Sequence, residues 1–292
     1  MSNYPSTFVN DGKGGQLPMP PFISQQEMDT LANDFVVHAD DLFVVTYPKC
    51  GTTWTEQIVH LILNQGEQGE QRLTDTAPWL ETLHKRPGGM QAFLQNLEGR
   101  RLFTSHLPLA LMPDFSTDEG KYIYVARNPK DTAVSYYHHD RSKAGYEGSW
   151  EEHLNLFMQG QVMYGSYFDN LLPWWQASQN AANIFFLKYE DMHHDLAGAV
   201  AQIAAFIDVP LDQSLLARVV AGSSFKAMST NEKTNFNWVP QRDGLPTHFR
   251  KGEIGDWRNH FTAEQSERMD QLYSEKMRGS QLQFDFGGGL VF

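Results

Sequence analysis

The stretch Thr46-Tyr47-Pro48-Lys49-Cys50-Gly51-Thr52-Thr53-Trp54 gathers a lysine, a glycine and two threonines into one short segment. Gly51 gives the backbone freedom for a tight turn. Thr52 and Thr53 set hydroxyls beside the free N–H groups of a helix that starts there, and Lys49 adds a charge. Unpaired donors, a favourable helix dipole and a cation converge, which is the chemistry of a phosphate cradle. The order differs from the Walker A motif, because the lysine precedes the only glycine. A capped helix with an incidental lysine would read the same way.

Two further segments could bind anions. Val125-Ala126-Arg127-Asn128-Pro129-Lys130-Asp131 ends an apolar run and opens a helix, with Ser135 eight residues beyond Arg127 and so about two turns along. Phe249-Arg250-Lys251-Gly252-Glu253-Ile254-Gly255-Asp256-Trp257 sets two cations beside a glycine that lets backbone approach a phosphate. By themselves these also read as an exposed arginine, a helix serine and a solvated charge pair. His106 in Thr104-Ser105-His106-Leu107-Pro108 is one of 11 histidines, and spacing alone leaves it an ordinary residue.

The elements that must carry these groups alternate. Leu42 to Tyr47, Arg101 to Ser105, Lys121 to Ala126 and Ile184 to Lys188 are short apolar, β-branched or aromatic runs, read as strands. Helical spacing follows from Thr53 to Leu63, from Pro129 through Tyr137, and from Ala199 to Ile207. The pattern predicts an α/β fold: one domain over 1–292, a central parallel sheet flanked by helices, and a P-loop-like cradle after the first sheet strand. The first twenty or so residues are expected to run over the surface. Thr230 to Gly255 reads as a long, functional loop.

Composition narrows the function. The chain has 292 residues, 41% hydrophobic and 13% aromatic, which excludes disorder. Its net charge of −12 argues against nucleic acid and anionic membranes as partners, so any anionic ligand must be held by a few local cations. A single cysteine, Cys50, excludes an intrachain disulfide. No signal peptide or membrane span is visible, and a cytoplasmic protein is expected. His138-His139-Asp140 and His193-His194-Asp195 lack the i, i+4 arrangement of a helical zinc pair, so no metal is expected.

TYPKCGTTW, RNPKDTAVS and RKGEIGDW, in this order, resemble the cytosolic sulfotransferase family, whose corresponding segments read TYPKSGTTW, RNPKDxxVS and RKGxxGDW. His106-Leu107-Pro108 and Lys188-Tyr189-Glu190-Asp191-Met192 fall between them in the family's order. The resemblance implies the donor 3′-phosphoadenosine 5′-phosphosulfate (PAPS), the product 3′,5′-adenosine bisphosphate (PAP), and transfer of a sulfuryl group to a hydroxyl or amine of a small-molecule acceptor. It implies that Lys49, Cys50, Gly51, Thr52, Thr53 and Trp54 hold the phosphosulfate. Arg127, Ser135, Arg250, Lys251 and Gly252 are implied for the 3′-phosphate. Trp54 and Phe225 would flank the adenine, with Tyr189, Ser223 and Met228 closing that pocket. His106 is implied as the base and Lys49 as the group at the breaking bond.

Three departures stand out. Cys50 replaces the commoner serine, Thr104 replaces the usual lysine, and His139-Asp140 replaces residues that are often aromatic. Phe22, His139, Asp140 and Phe249 are the candidate acceptor walls, with aromatics of Asn235 to His248. A pocket holding His139 and Asp140 is expected to be polar and to favour a cationic metabolite; Asp140 as a solvated helix residue is the alternative. The stretch Arg258 to Glu267 resembles the family's pairing segment, KxxxTVxxxE, and implies a homodimer. Two rivals stand beside the enzyme: a non-catalytic module binding adenosine bisphosphate, motivated by Thr104, and a small-molecule kinase, opposed by the reversed Lys–Gly order.

Overall fold

Apolar runs with no polar alternation have nowhere to go but between two layers, and that decides the architecture. The computed structural model describes residues 4–97, 99–113 and 119–288. A hairpin comes first, with β1 (Thr7–Asn10) antiparallel to β2 (Gln16–Met19). The central sheet contains β3 (Leu42–Thr46), β4 (Leu102–Ser105), β5 (Lys121–Ala126) and β6 (Ile184–Lys188), all parallel, in the order β4-β3-β5-β6.

Alternation along β3 splits the core in two. Leu42 and Val44 face the Thr52–Leu63 helix, meeting Ile58, Val59 and Ile62; Phe43 and Val45 face an aromatic layer with Phe103, Tyr122, Tyr124 and Trp174. Phe43 stacks on Tyr122 at 4.7 Å, and Tyr124 on Trp174 at 5.3 Å. Among the described residues, no helix is long and apolar enough to cross a membrane.

The chain leaves β3 for β4 on one side and returns as β5 on the other. The loops after β3 and β5 therefore part company at the carboxyl edge of the sheet, opening a crevice there. Lys49 and Arg127 stand on those two loops. Pro129 opens the Pro129–Lys143 helix as expected, and the Asn128 side chain caps it by accepting from the Asp131 N–H at 2.8 Å.

One expectation holds only in part. Gly12 to Gly15, between the hairpin strands, are exposed, but Tyr4, Val9, Leu17 and Met19 are buried in the aromatic core. The Tyr47 hydroxyl and the Tyr164 N–H bind the nearby backbone at Gly165 and Pro18, tying the hairpin against the active edge. Partners more than a hundred residues away leave no local signal, so a Gly- and Pro-rich start reads as surface.

The late loop is anchored by Asp131. Its carboxylate accepts from the Gly255 N–H at 2.7 Å and the Trp257 N–H at 2.9 Å, fastening the Arg250–Trp257 segment onto the start of the Pro129–Lys143 helix. Asp131→Ala leaves both donors without that partner and is expected to cost about 2–4 kcal/mol of stability by urea denaturation. A loss under about 1 kcal/mol would mean that water replaces the carboxylate. Arg258, in the expected pairing segment, donates to the Phe286 carbonyl at 2.8 Å and to that of Gly287, while Thr262 caps the Ala263–Lys276 helix.

Candidate functional site

The loop after β3 is built around two left-handed residues, Lys49 (φ 71°) and Gly51 (φ 107°). Gly51 is the N-cap of the Thr52–Leu63 helix, and no side chain caps the first turn, so its N–H groups are open to an anion. A Cβ at Gly51 would stand 2.9 Å from the Tyr189 ring, so close backbone packing requires glycine here. The Thr46 and Thr52 hydroxyls hydrogen-bond at 2.7 Å. Cys50 is fully buried, with its sulfur 3.5 Å from the Thr132 hydroxyl, and burial pushes its thiol up to about 12. It is a packing residue and carries no thiolate at neutral pH.

Lys49 is half-buried. Burial lowers its pKa to about 8; Asp140 opposes this, while Arg127 and Lys143 add to it. The ammonium sits among like charges, an arrangement that favours an arriving anion.

His106 lies just beyond β4. Its Nδ1 is 2.9 Å from the Thr46 carbonyl oxygen, which can only accept, so Nδ1 carries the proton and Nε2 keeps a lone pair. The backbone is pinned as well: the His106 N–H donates to Glu81 Oε1 at 2.9 Å, and Asn170 Nδ2 donates to the His106 carbonyl at 3.1 Å. Burial, with a contribution from Lys49, lowers the His106 pKa to about 4 despite the Thr46 bond. The imidazole is therefore neutral throughout the physiological range.

Arg127 is buried, with its guanidinium 4.3 Å over the Tyr189 ring and Nη2 donating to the Glu253 carbonyl at 2.9 Å. Its Nε is buried with no protein partner among the described residues, a donor available to a ligand. Arg250 and Lys251 both pair with Asp256, the former at 2.6 Å. Burial alone would raise the Asp256 pKa, but Lys251, Asn259 and Arg250 hold it far below the carboxylate range. One carboxylate thus aligns two cations.

The aromatic candidates divide. Trp54 meets Tyr189 edge-on at 5.3 Å, and Phe225, 42% exposed, meets Phe249 at 5.7 Å. Gly252 (φ +69°) lies so close that a Cβ would reach 2.3 Å from the Phe225 ring. Phe249, expected on the acceptor wall, packs against Phe225 on one side and His248 at 5.4 Å on the other. Ser223 and Met228 are fully buried, and the Ser223 hydroxyl donates to the Val219 carbonyl at 2.7 Å. Phe22 is half-exposed and packs edge-on against Trp79 at 5.9 Å; Trp79 in turn meets His106 at 5.7 Å.

A cavity runs along one face of the Pro129–Lys143 helix, lined by Ser135, His139 and Lys143, with Lys49, His248 and Arg250 opposite. Asp140 is not in it. One residue on from His139, it turns to another face of the helix, where it is fully buried, accepts from the Tyr4 hydroxyl, and lies 2.9 Å from His153 Nε2. Neither an acceptor-binding carboxylate nor a solvated one is correct, and the inference of a cationic acceptor loses its basis. Thr104 is also spent: its hydroxyl donates to Glu56, whose pKa burial raises to about 7.

Sequence reasoning missed Trp79, Tyr164, His248 and Lys143. His248 Nε2 lies 3.1 Å from the Thr53 hydroxyl, and its ring stacks on Phe236 at 4.6 Å. Its place two residues before Arg250 and that of Lys143 four beyond His139 were signals; Trp79 and Tyr164 reach His106 only through the fold. Among the described residues no cluster of three or more His, Cys, Asp or Glu could hold a metal.

Residues 39–281 match the family model described as the sulfotransferase domain. The chain is 39% identical over 257 residues to sulfotransferase 1B1 of Canis lupus familiaris, covering 84% of this chain and 86% of that protein. It is 38% identical over 278 residues to sulfotransferase 2B1 of Mus musculus, covering 91% and 80%. A mouse sulfotransferase complexed with PAP superposes with a TM-score of 0.75 at 31% identity, covering 92% of this chain and 93% of that one. Retinol dehydratase in complex with retinol and PAP superposes at 0.82 with 23% identity over 97% and 93%, a likeness of fold.

Proposed function

The chain belongs to the sulfotransferase domain family, and from that premise we propose how its own residues perform the transfer. The reaction moves the sulfuryl group from PAPS to a small-molecule acceptor. The observation that carries the residue assignment is the double use of Thr46. Its carbonyl holds His106 Nδ1–H, and its hydroxyl holds Thr52 at the cradle, so base and cradle share one fixed point.

The open first turn at Gly51 to Trp54 and the Lys49 ammonium receive the 5′-phosphosulfate. Arg127, Ser135, Arg250, Lys251 and Gly252 receive the 3′-phosphate, and Trp54, Tyr189 and Phe225 receive the adenine. His106 Nε2 takes the acceptor proton as the acceptor oxygen bonds to sulfur. The bond from sulfur to the bridging phosphate oxygen breaks in line, and Lys49 neutralises the charge left on that oxygen. The protein works by position and charge, without a covalent step of its own. A cytoplasmic site of action accords with the single, reduced cysteine.

PAP is expected to raise the melting temperature and ATP to leave it unchanged, since a ligand at about 100 times its Kd adds about 2.7 kcal/mol. Labelled sulfate should pass from PAPS to 2-naphthol. Protection by ATP alone would point to a kinase. Protection by PAP with no transfer to any acceptor would leave a binding module.

A further inference from the structure

The cavity beside Lys49 is lined by one cation, Lys143, for which the donor reading gives no role. Its lining includes the cations Lys49, Lys143 and Arg250, no carboxylate, and His138, His139 and His248, whose pKa values burial lowers so that their neutral forms are favoured. On the reading above, Arg250 and Ser135 take the 3′-phosphate at one end and Lys49 takes the phosphosulfate. Lys143 follows Ser135 by eight residues on the same helix, which places it about 12 Å further along the axis. It therefore lines the cavity at the end away from Ser135.

Lys143 is half-buried and has no carboxylate within 4.0 Å among the described residues. Its Nζ donates to the Val239 carbonyl at 3.2 Å and to that of Phe236 at 3.5 Å, which leaves one of three donors free. Asp140, the acid nearest in sequence, is turned away and engaged by Tyr4 and His153. Burial depresses the Lys143 pKa with no acidic neighbour to offset it. An ammonium so placed is completed by an anion from solution, and an ammonium-bearing acceptor would meet Lys143 as a like charge.

We propose that the acceptor bears an oxyanion group, a carboxylate or an ester of phosphate or sulfate, in addition to its hydroxyl, and that Lys143 holds that group. The proposal rests on the sulfotransferase reading of the cavity. It reverses the charge that the sequence suggested for the acceptor.

Three acceptors with one phenol and different tails test it: 3-(4-hydroxyphenyl)propionate, its primary amide, and tyramine. For the unaltered protein, kcat/KM for the acid should exceed that for the amide by about tenfold, the equivalent of one charge-assisted hydrogen bond, and tyramine should be poorest. Lys143→Gln should bring acid and amide level, and Lys143→Glu should favour tyramine. Each ratio is taken within one variant, so a loop loosened by losing the Val239 and Phe236 contacts cancels out. Calorimetry on the PAP-bound protein gives a second readout that needs no turnover: the acid should bind about tenfold tighter than the amide.

Equal kcat/KM for acid and amide, a preference for tyramine, or a preference unchanged in Lys143→Gln would overturn the proposal. If 2-naphthol too receives no sulfate, the sulfotransferase reading fails. The calorimetric comparison then decides alone, and an acid bound no tighter than its amide counts against Lys143.

Discussion

Replacing His106 by glutamine should lower kcat about 10²–10⁴-fold while leaving PAP affinity unchanged. Glutamine keeps a donor for the Thr46 carbonyl but offers no basic nitrogen, so the variant removes the proton acceptor and leaves the cradle alone. The loss is large because the imidazole is fixed before substrate arrives. Thr46 sets its tautomer, Glu81 and Asn170 hold its backbone, and Trp79 and Tyr164 flank the ring. The pH profile carries a second signature. A depressed imidazole pKa means the neutral, competent form persists down to about 4, so the acid limb of kcat/KM should fall there, well below an ordinary histidine's 6.5. A limb near 6.5, or a mutant within threefold of the parent, would remove His106 from the role.

Lys49→Met should lower kcat about 10²–10³-fold and also weaken PAP binding. The side chain leaves a strained left-handed backbone position to stand beside the cradle, and its charge has no ion-pair partner within 4.0 Å among the described residues. That charge is most valuable when the leaving oxygen becomes anionic. Because burial lowers the Lys49 pKa to about 8, the cation is present below that pH and lost above it. In the free protein kcat/KM should therefore decline as pH rises through about 8, and that limb should vanish in Lys49→Met. Persistence of the alkaline limb in the variant would assign it to another group.

The two limbs come from one physical cause, partial burial at the active edge. His106 and Lys49 are both displaced toward their neutral forms by burial, and the Lys49 charge adds to the His106 shift. The opposed effects leave a window between about 4 and about 8 in which a neutral base and a charged lysine coexist.

Much of this was legible along the chain. The four sheet strands were readable because parallel strands buried on both faces need unbroken apolar runs, and Leu42–Thr46 is buried at every position. The cradle was readable because Lys49 to Trp54 is a local structure: turn, cap and hydroxyls lie within a few residues. The start of the Pro129–Lys143 helix was readable from Pro129 and Asn128 for the same reason.

The acidic total of −12 directed attention to a few local cations. What it could not show was how those cations are distributed. Asp140 sits next to His139 in sequence, yet a helix turns successive residues by about 100°, and only the fold reveals that one faces the cavity and the other the Tyr4–His153 cluster. Tyr4 itself was read as surface, because its partner is 136 residues away. The anchoring of Arg250 to Trp257 by Asp131, and the meeting of Phe22, Trp79 and His106, are likewise long-range. Local backbone chemistry is written in neighbouring residues, so the sequence alone determined the strands and the turn after β3, and the resemblance of its motifs supplied the reaction class. Which side chains converge on the cavity beside Lys49 depends on distant segments, and that the tertiary structure decided.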